Sequence, residues 1–138
     1  MANENLVRTV KAITALAKAG DRDGAYAGYR DLFSGAEFST YTPVEQRQVL
    51  RFMILAKGLP AFPPPSIVEA HRAALGPLTE LVSAFGEPAD HELLGVCHIV
   101  LGNEESASAI FRAGLALERA RNASSELCGQ LMKRVASL

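Results

Sequence analysis

Tryptophan is absent from this chain of 138 residues, and the remaining aromatic side chains make up only 7% of it. A core built from it must be filled mainly by aliphatic side chains. Charge of one sign is lacking too: 14 Lys and Arg stand against 15 Asp and Glu, a formal net charge of −1. With no basic excess to track phosphates or hold anionic lipid, neither nucleic acid nor membrane is expected as a partner. Cysteine is scarce. Cys97 and Cys128 are the only two, and both fall on apolar positions of helical patterns, so two buried reduced thiols are expected rather than a disulfide. Long apolar runs are missing as well. The most apolar stretch, 49–56, is short and broken by Arg51, too little to span a bilayer. The first residues, M-A-N-E-N-L-V-R, carry an acid and no long apolar segment, unlike a secretory signal. A cytoplasmic protein is the expectation.

What is present favours helix: Ala, Leu, Glu and Arg are abundant, and the length suits one domain with a real core. Leu6, Val7, Val10, Ile13, Thr14 and Ala17 recur at helical spacing up to Gly20. Asp21 then caps a second helix carrying Ala25, Tyr29, Leu32 and Phe33. A polar, glycine-containing connector over 34–41 leads to T-P-V-E at 42–45. There Thr42 reads as N-cap, Pro43 as first helical residue and Glu45 as the capping-box partner. That helix presents Val49, Leu50, Met53 and Ile54 on one face and is expected to end at Gly58. L-P-A-F-P-P-P at 59–65 favours polyproline II. Lacking flanking basic residues, it reads as a stiff linker rather than a docking ligand for an SH3-like partner. Ser66 restarts the helix with Glu69 as its capping-box partner, and Gly76-Pro77 is expected to kink or break it before Gly86.

The richest stretch is 92–117. Leu93, Leu94, Cys97, His98 and Leu101 share one helical face, and Gly102 supplies a left-handed exit. Asn103 is the expected N-cap of the next helix, with Glu104 and Glu105 in its first turn. Ala107, Ile110, Phe111, Leu115 and Leu117 follow. Gly95 and Ala107 are small where two antiparallel backbones would meet. L-G at 94–95, G-N at 102–103, Ala107, Phe111 and Leu115 resemble the tetratricopeptide (TPR) signature at its spacing. The chain departs from that pattern at His91, His98 and Arg119. Superposing Gly20 on Gly102 places Ala25 on Ala107 and Tyr29 on Phe111, which is internal self-similarity. Ile13 then stands where Gly95 does, and its bulk is expected to push the first two helices apart.

The fold implied is all-α, a TPR-like right-handed superhelix. It consists of three helical hairpins at about 4–34, 42–86 and 88–119, with a C-terminal capping helix at about 122–137 that carries Leu127, Cys128, Leu131, Met132 and Val135. In TPR proteins the first helices of successive hairpins line a concave groove. By position, the resemblance assigns to it Val7, Val10, Thr14 and Lys18, then Gln48, Phe52, Leu55 and Ala56, then Glu92, Val96, Ile99 and Val100. Independently, Phe52, Leu55, Val96, Ile99 and Val100 are more apolar residues than one core face per helix needs. Such a surplus suits an apolar peptide or helix. The alternatives are that the C-terminal helix or a second subunit covers it. Val10, Thr14 and Val49 stand where carboxylate-clamp members carry Lys, Asn and Arg, so that clamp is not expected. Bacterial secretion chaperones with three hairpins are similar in architecture only.

Catalytic chemistry has little to stand on. His91 and His98 are two turns apart rather than at the i, i+4 spacing that pairs ligands, and Cys97 points elsewhere than His98. His71, near Glu69, reads as a solvent-facing residue. There is no phosphate loop, nucleophile elbow or H-E-x-x-H. The expectation is a non-enzymatic protein-interaction module, adaptor or chaperone-like, without cofactor or metal. The alternative is a self-associating subunit, possible as a homodimer, whose groove face is the interface. A metal- or thiol-dependent enzyme using His91, His98 or Cys97 ranks last.

Overall fold

A computed structural model describes residues 3–56 and 59–138. Gly58, the expected helix stop, lies outside the described residues. Among the described residues seven α-helices form: α1 (Glu4–Lys18), α2 (Arg22–Ser34), α3 (Pro43–Ile54), α4 (Pro65–Phe85), α5 (Pro88–Val100), α6 (Glu104–Asn122) and α7 (Glu126–Ala136). A 3-10 turn covers Phe38–Thr40. No strand occurs among the described residues, as an all-α chain requires. The chain divides into two compact units, Met1–Pro77 and Leu78–Leu138, and the division falls inside α4.

In the first unit, Asn3 caps α1 by accepting the Leu6 N–H, and α1 leaves through Gly20 at φ 85°. Asp21 caps α2 through the Gly24 N–H. α1 and α2 pack together. The bulk of Ile13 is met by a glycine on the partner helix. A Cβ built on Gly28 would lie 2.7 Å from Ile13 Cγ1, so the glycine is a notch for that side chain. The 34–41 connector is less polar in place than in sequence. Phe38 and Tyr41 are buried and extend a row of rings: Tyr29 to Phe33 at 5.9 Å, Phe33 to Phe38 at 5.1 Å and Phe38 to Tyr41 at 6.0 Å. Offset and edge-to-face pairs of this kind add to ordinary burial.

The capping box of α3 forms as the sequence expects, with Thr42 and Glu45 bonded reciprocally and Pro43 at N1. Glu45 also accepts the Asn3 backbone N–H at 2.7 Å. The first of these backbone bonds, from Thr42, is the main reason its carboxyl is held below the usual glutamate range. α4 starts one residue before the expected cap. Pro65 is its first residue and the Pro64 carbonyl accepts from Ile67 and Val68 N–H. Ser66 is therefore inside the helix, and its hydroxyl donates to Asp23 at 2.6 Å. Its expected capping partner, Glu69, pairs instead with Arg72. The helix continues past Pro77 without a break.

In the second unit, bulk and notch are exchanged twice between α5 and α6. A Cβ on Gly95 would fall 2.3 Å from Phe111 Cε1, and one on Gly114 2.7 Å from His91 Cβ. Each helix thus seats a ring over a glycine of the other. Gly102 exits at φ 80°. Asn103 holds the N-cap position, but its side chain makes no capping bond. α6 runs to Asn122, beyond the expected end near 119. α7 begins after Ser125, whose Oγ accepts the Cys128 N–H at 3.0 Å while its hydroxyl donates to Glu118 at 2.6 Å. α7 packs on α6 and reaches α5, where Arg134 pairs with Glu92 at 3.1 Å.

Candidate functional site

α3 is amphipathic in an unusual sense, because both of its faces carry apolar groups. Val49, Leu50, Met53 and Ile54 are buried. On the opposite side, Val44, Gln48, Arg51, Phe52 and Leu55 recur at helical spacing, and the large apolar members stay in solvent: Val44 is 62% exposed and Phe52 66%. Gln48, Arg51, Phe52 and Leu55 line a shallow concavity of about 460 Å3. No carboxylate belongs to this stripe, and Arg51 makes no ion pair among the described residues. Phe62, in the loop before α4, is 93% exposed. An exposed aromatic beside further exposed apolar side chains is the kind of surface that marks an interaction site.

Phe52 also closes one side of a more enclosed cavity of about 310 Å3. Tyr26 and Tyr29 of α2, Met53 of α3 and Ile67 of α4 form further walls, and Arg22 stands at it. A third, open cleft of about 600 Å3 lies along α1 and α2, between Arg8 and Leu16 on one side and Asp31 and Glu37 on the other.

The residues assigned to the groove fare differently along the chain. Gln48, Phe52 and Leu55 come together on the α3 stripe. On α1, Val10 is half-buried, Thr14 is exposed with its hydroxyl donating to the Val10 carbonyl at 2.9 Å, and Lys18 is exposed. In the second unit, Glu92 and Val96 are buried, and Glu92 is held by Arg134 of α7. Ile99 is exposed and Val100 half-buried. Sequence reasoning missed Val44 and Arg51. Val44 stands eight residues before Phe52, a spacing that already placed it on that face.

The histidines and cysteines settle inward. His71 is fully buried, contrary to the solvent-facing position expected from its neighbour Glu69. Helical turning puts it with Ile67, Ala70 and Ala74 on the inner side of α4. Its Nδ1 lies 2.7 Å from the Ile67 carbonyl, which makes Nδ1–H the donor, and its Nε2 has no partner among the described residues. Burial pushes its pKa down. His98 is likewise lowered by burial, and His91 Nδ1 sits 2.9 Å from the Glu87 carbonyl. Cys97 is buried and its thiol is pushed up to about 12, so it is protonated at neutral pH. Among the described residues, no three His, Cys, Asp or Glu side chains are grouped as a metal site, and no helix is long and apolar enough to cross a membrane. No protein-family model, curated protein or solved structure matches the chain.

Proposed function

We propose that the protein is a non-enzymatic interaction module, of TPR-like construction, that docks an apolar segment bearing acidic residues on the outer face of α3. The observation that carries this reading is the exposed stripe Val44, Phe52 and Leu55 with Arg51 set in it. Leaving a phenylalanine two-thirds exposed forgoes part of the roughly 1.5–3 kcal/mol that its burial would provide, and a docked partner would recover it. The occupant is chosen by charge. Arg51 is the charged residue among those lining the α3 concavity, and it forms no ion pair among the described residues, so a carboxylate on the partner is complementary. The reciprocal Gly95–Phe111 contact supports the TPR-like construction.

Two helical peptides with the same leucines, one flanked by Glu and one by Lys, separate the outcomes. The Glu peptide is expected to bind and the Lys peptide to bind weakly or not at all. Phe52→Ala is expected to weaken the Glu peptide by about ten-fold or more, and Arg51→Glu is expected to reverse the preference. Equal binding of the Glu peptide to native and Phe52→Ala protein would refute the site.

A further inference from the structure

Behind Phe52, the first unit holds a partly open cavity whose polar side chains have no hydrogen-bond or ion-pair partner among the described residues. We propose that this cavity is a binding site for a small apolar molecule ending in a carboxylate, with Arg22 as counter-charge and the Tyr26 and Tyr29 hydroxyls as donors. The cap at Asp21 makes Arg22 the first residue of α2. Tyr26 and Tyr29 follow at four and seven residues, on the same helical face. All three line the cavity of about 310 Å3, and the two phenol rings are 6.2 Å apart. Among the described residues Arg22 forms no ion pair and neither phenol a hydrogen bond. Burial keeps both phenols above their usual pKa, so they stand as protonated donors, and the Arg22 charge acts on Tyr26.

The remaining wall selects the ligand class. Phe52, Met53 and Ile67 are apolar, and among the described residues no Asp or Glu lines the cavity. The two acids flanking Arg22 are engaged elsewhere: Asp21 accepts the Gly24 N–H at 2.9 Å and Asp23 the Ser66 hydroxyl at 2.6 Å. A cationic ligand would meet Arg22 unfavourably. A neutral one would leave the exposed guanidinium to water and gain no charge-assisted bond from it. The volume lies at the small end of ligand sites, so a medium-length acid fits better than a long lipid chain. The site is separate from the docking reading and shares with it only the Phe52 side chain.

Titration calorimetry of the full chain with octanoate, octan-1-ol and octylamine at neutral pH tests the assignment. Octanoate is expected to bind at one site, at least about ten-fold tighter than the alcohol, as a charge-assisted pair requires, and octylammonium not at all. Arg22 is exposed, so Arg22→Gln should retain native far-UV circular dichroism while losing about ten-fold in octanoate affinity and none in alcohol affinity. Tyr29→Phe should weaken octanoate severalfold, and Arg112→Gln, in the other unit, should not alter it. The proposal is overturned if octanoate gives no binding up to millimolar concentration, if acid and alcohol bind alike, or if Arg22→Gln binds octanoate as the native chain does.

Discussion

A single methyl group decides whether α5 and α6 can meet. On Gly95 it would stand 2.3 Å from the Phe111 ring, which is itself buried and cannot swing away, whereas on Gly129 of α7 it would meet nothing within 4 Å. Gly95→Ala is expected to cost about 1–3 kcal/mol through overpacking. Gly129→Ala is expected to add about 0.5–1 kcal/mol, because it only removes backbone freedom from the unfolded chain. Urea titration of the two variants checks both signs. His71 works at the same scale but through pH. Its folded pKa lies below the ordinary 6.5, so below that value the unfolded chain takes up a proton first. Its contribution to stability is complete above about pH 6.5 and is lost as pH falls toward the lowered value. The urea midpoint should therefore drop between about pH 7.5 and about pH 5. His71→Met should drop less, keeping the part due to His98, which is lowered in the same direction. An equal drop in both proteins would assign the acid sensitivity to other groups.

Helix pairs in this chain are matched by where the bulk sits, and the same fit is reached in opposite ways. Between α5 and α6 the glycine at 95 receives Phe111. Between α1 and α2 the equivalent position is Ile13, and the glycine has moved across to 28. Gly28→Ala should therefore be destabilising, by about 1–3 kcal/mol. The double variant with Ile13→Ala should cost less than the sum of the two single changes, because the trimmed side chain no longer meets the new methyl. Strict additivity in a double-mutant cycle would show that the two residues do not share the contact. Signals confined to one helix could be read from the sequence: the Thr42–Pro43–Glu45 start, the glycine exits at 20 and 102, and the apolar spacing that yields all-α. What escaped depended on another element. His71 has a polar neighbour in sequence but faces the core, and Phe38 looked like loop until rings on both sides enclosed it. Glu92 belonged to the groove by position, yet Arg134, 42 residues later, holds it. Of the candidate site, Phe52 and Leu55 were legible because surplus apolar spacing is a local property, while Gln48 came only from the position the resemblance gave it. Arg51 was seen only as an interruption of an apolar run, since its place in the concavity with Phe52 and Leu55 depends on the folded helix.

At the scale of the whole molecule, the two compact units share α4. Loss of either end of that helix removes turns that the other end builds upon, so the units are expected to unfold in one transition. The means to test this is already in the row of rings that joins α2 to the start of α3. All three tyrosines, Tyr26, Tyr29 and Tyr41, lie before Pro77, and the chain has no tryptophan. Excitation on the long-wavelength side of the tyrosine band, where phenylalanine does not absorb, therefore reads one unit alone, and the other is dark to it. Far-UV circular dichroism reads both. Gly95→Ala places its damage in the dark unit. If folding is shared, tyrosine emission will report the lower midpoint from a unit that the substitution never touches, whereas an unshifted midpoint would mean that the two halves melt separately.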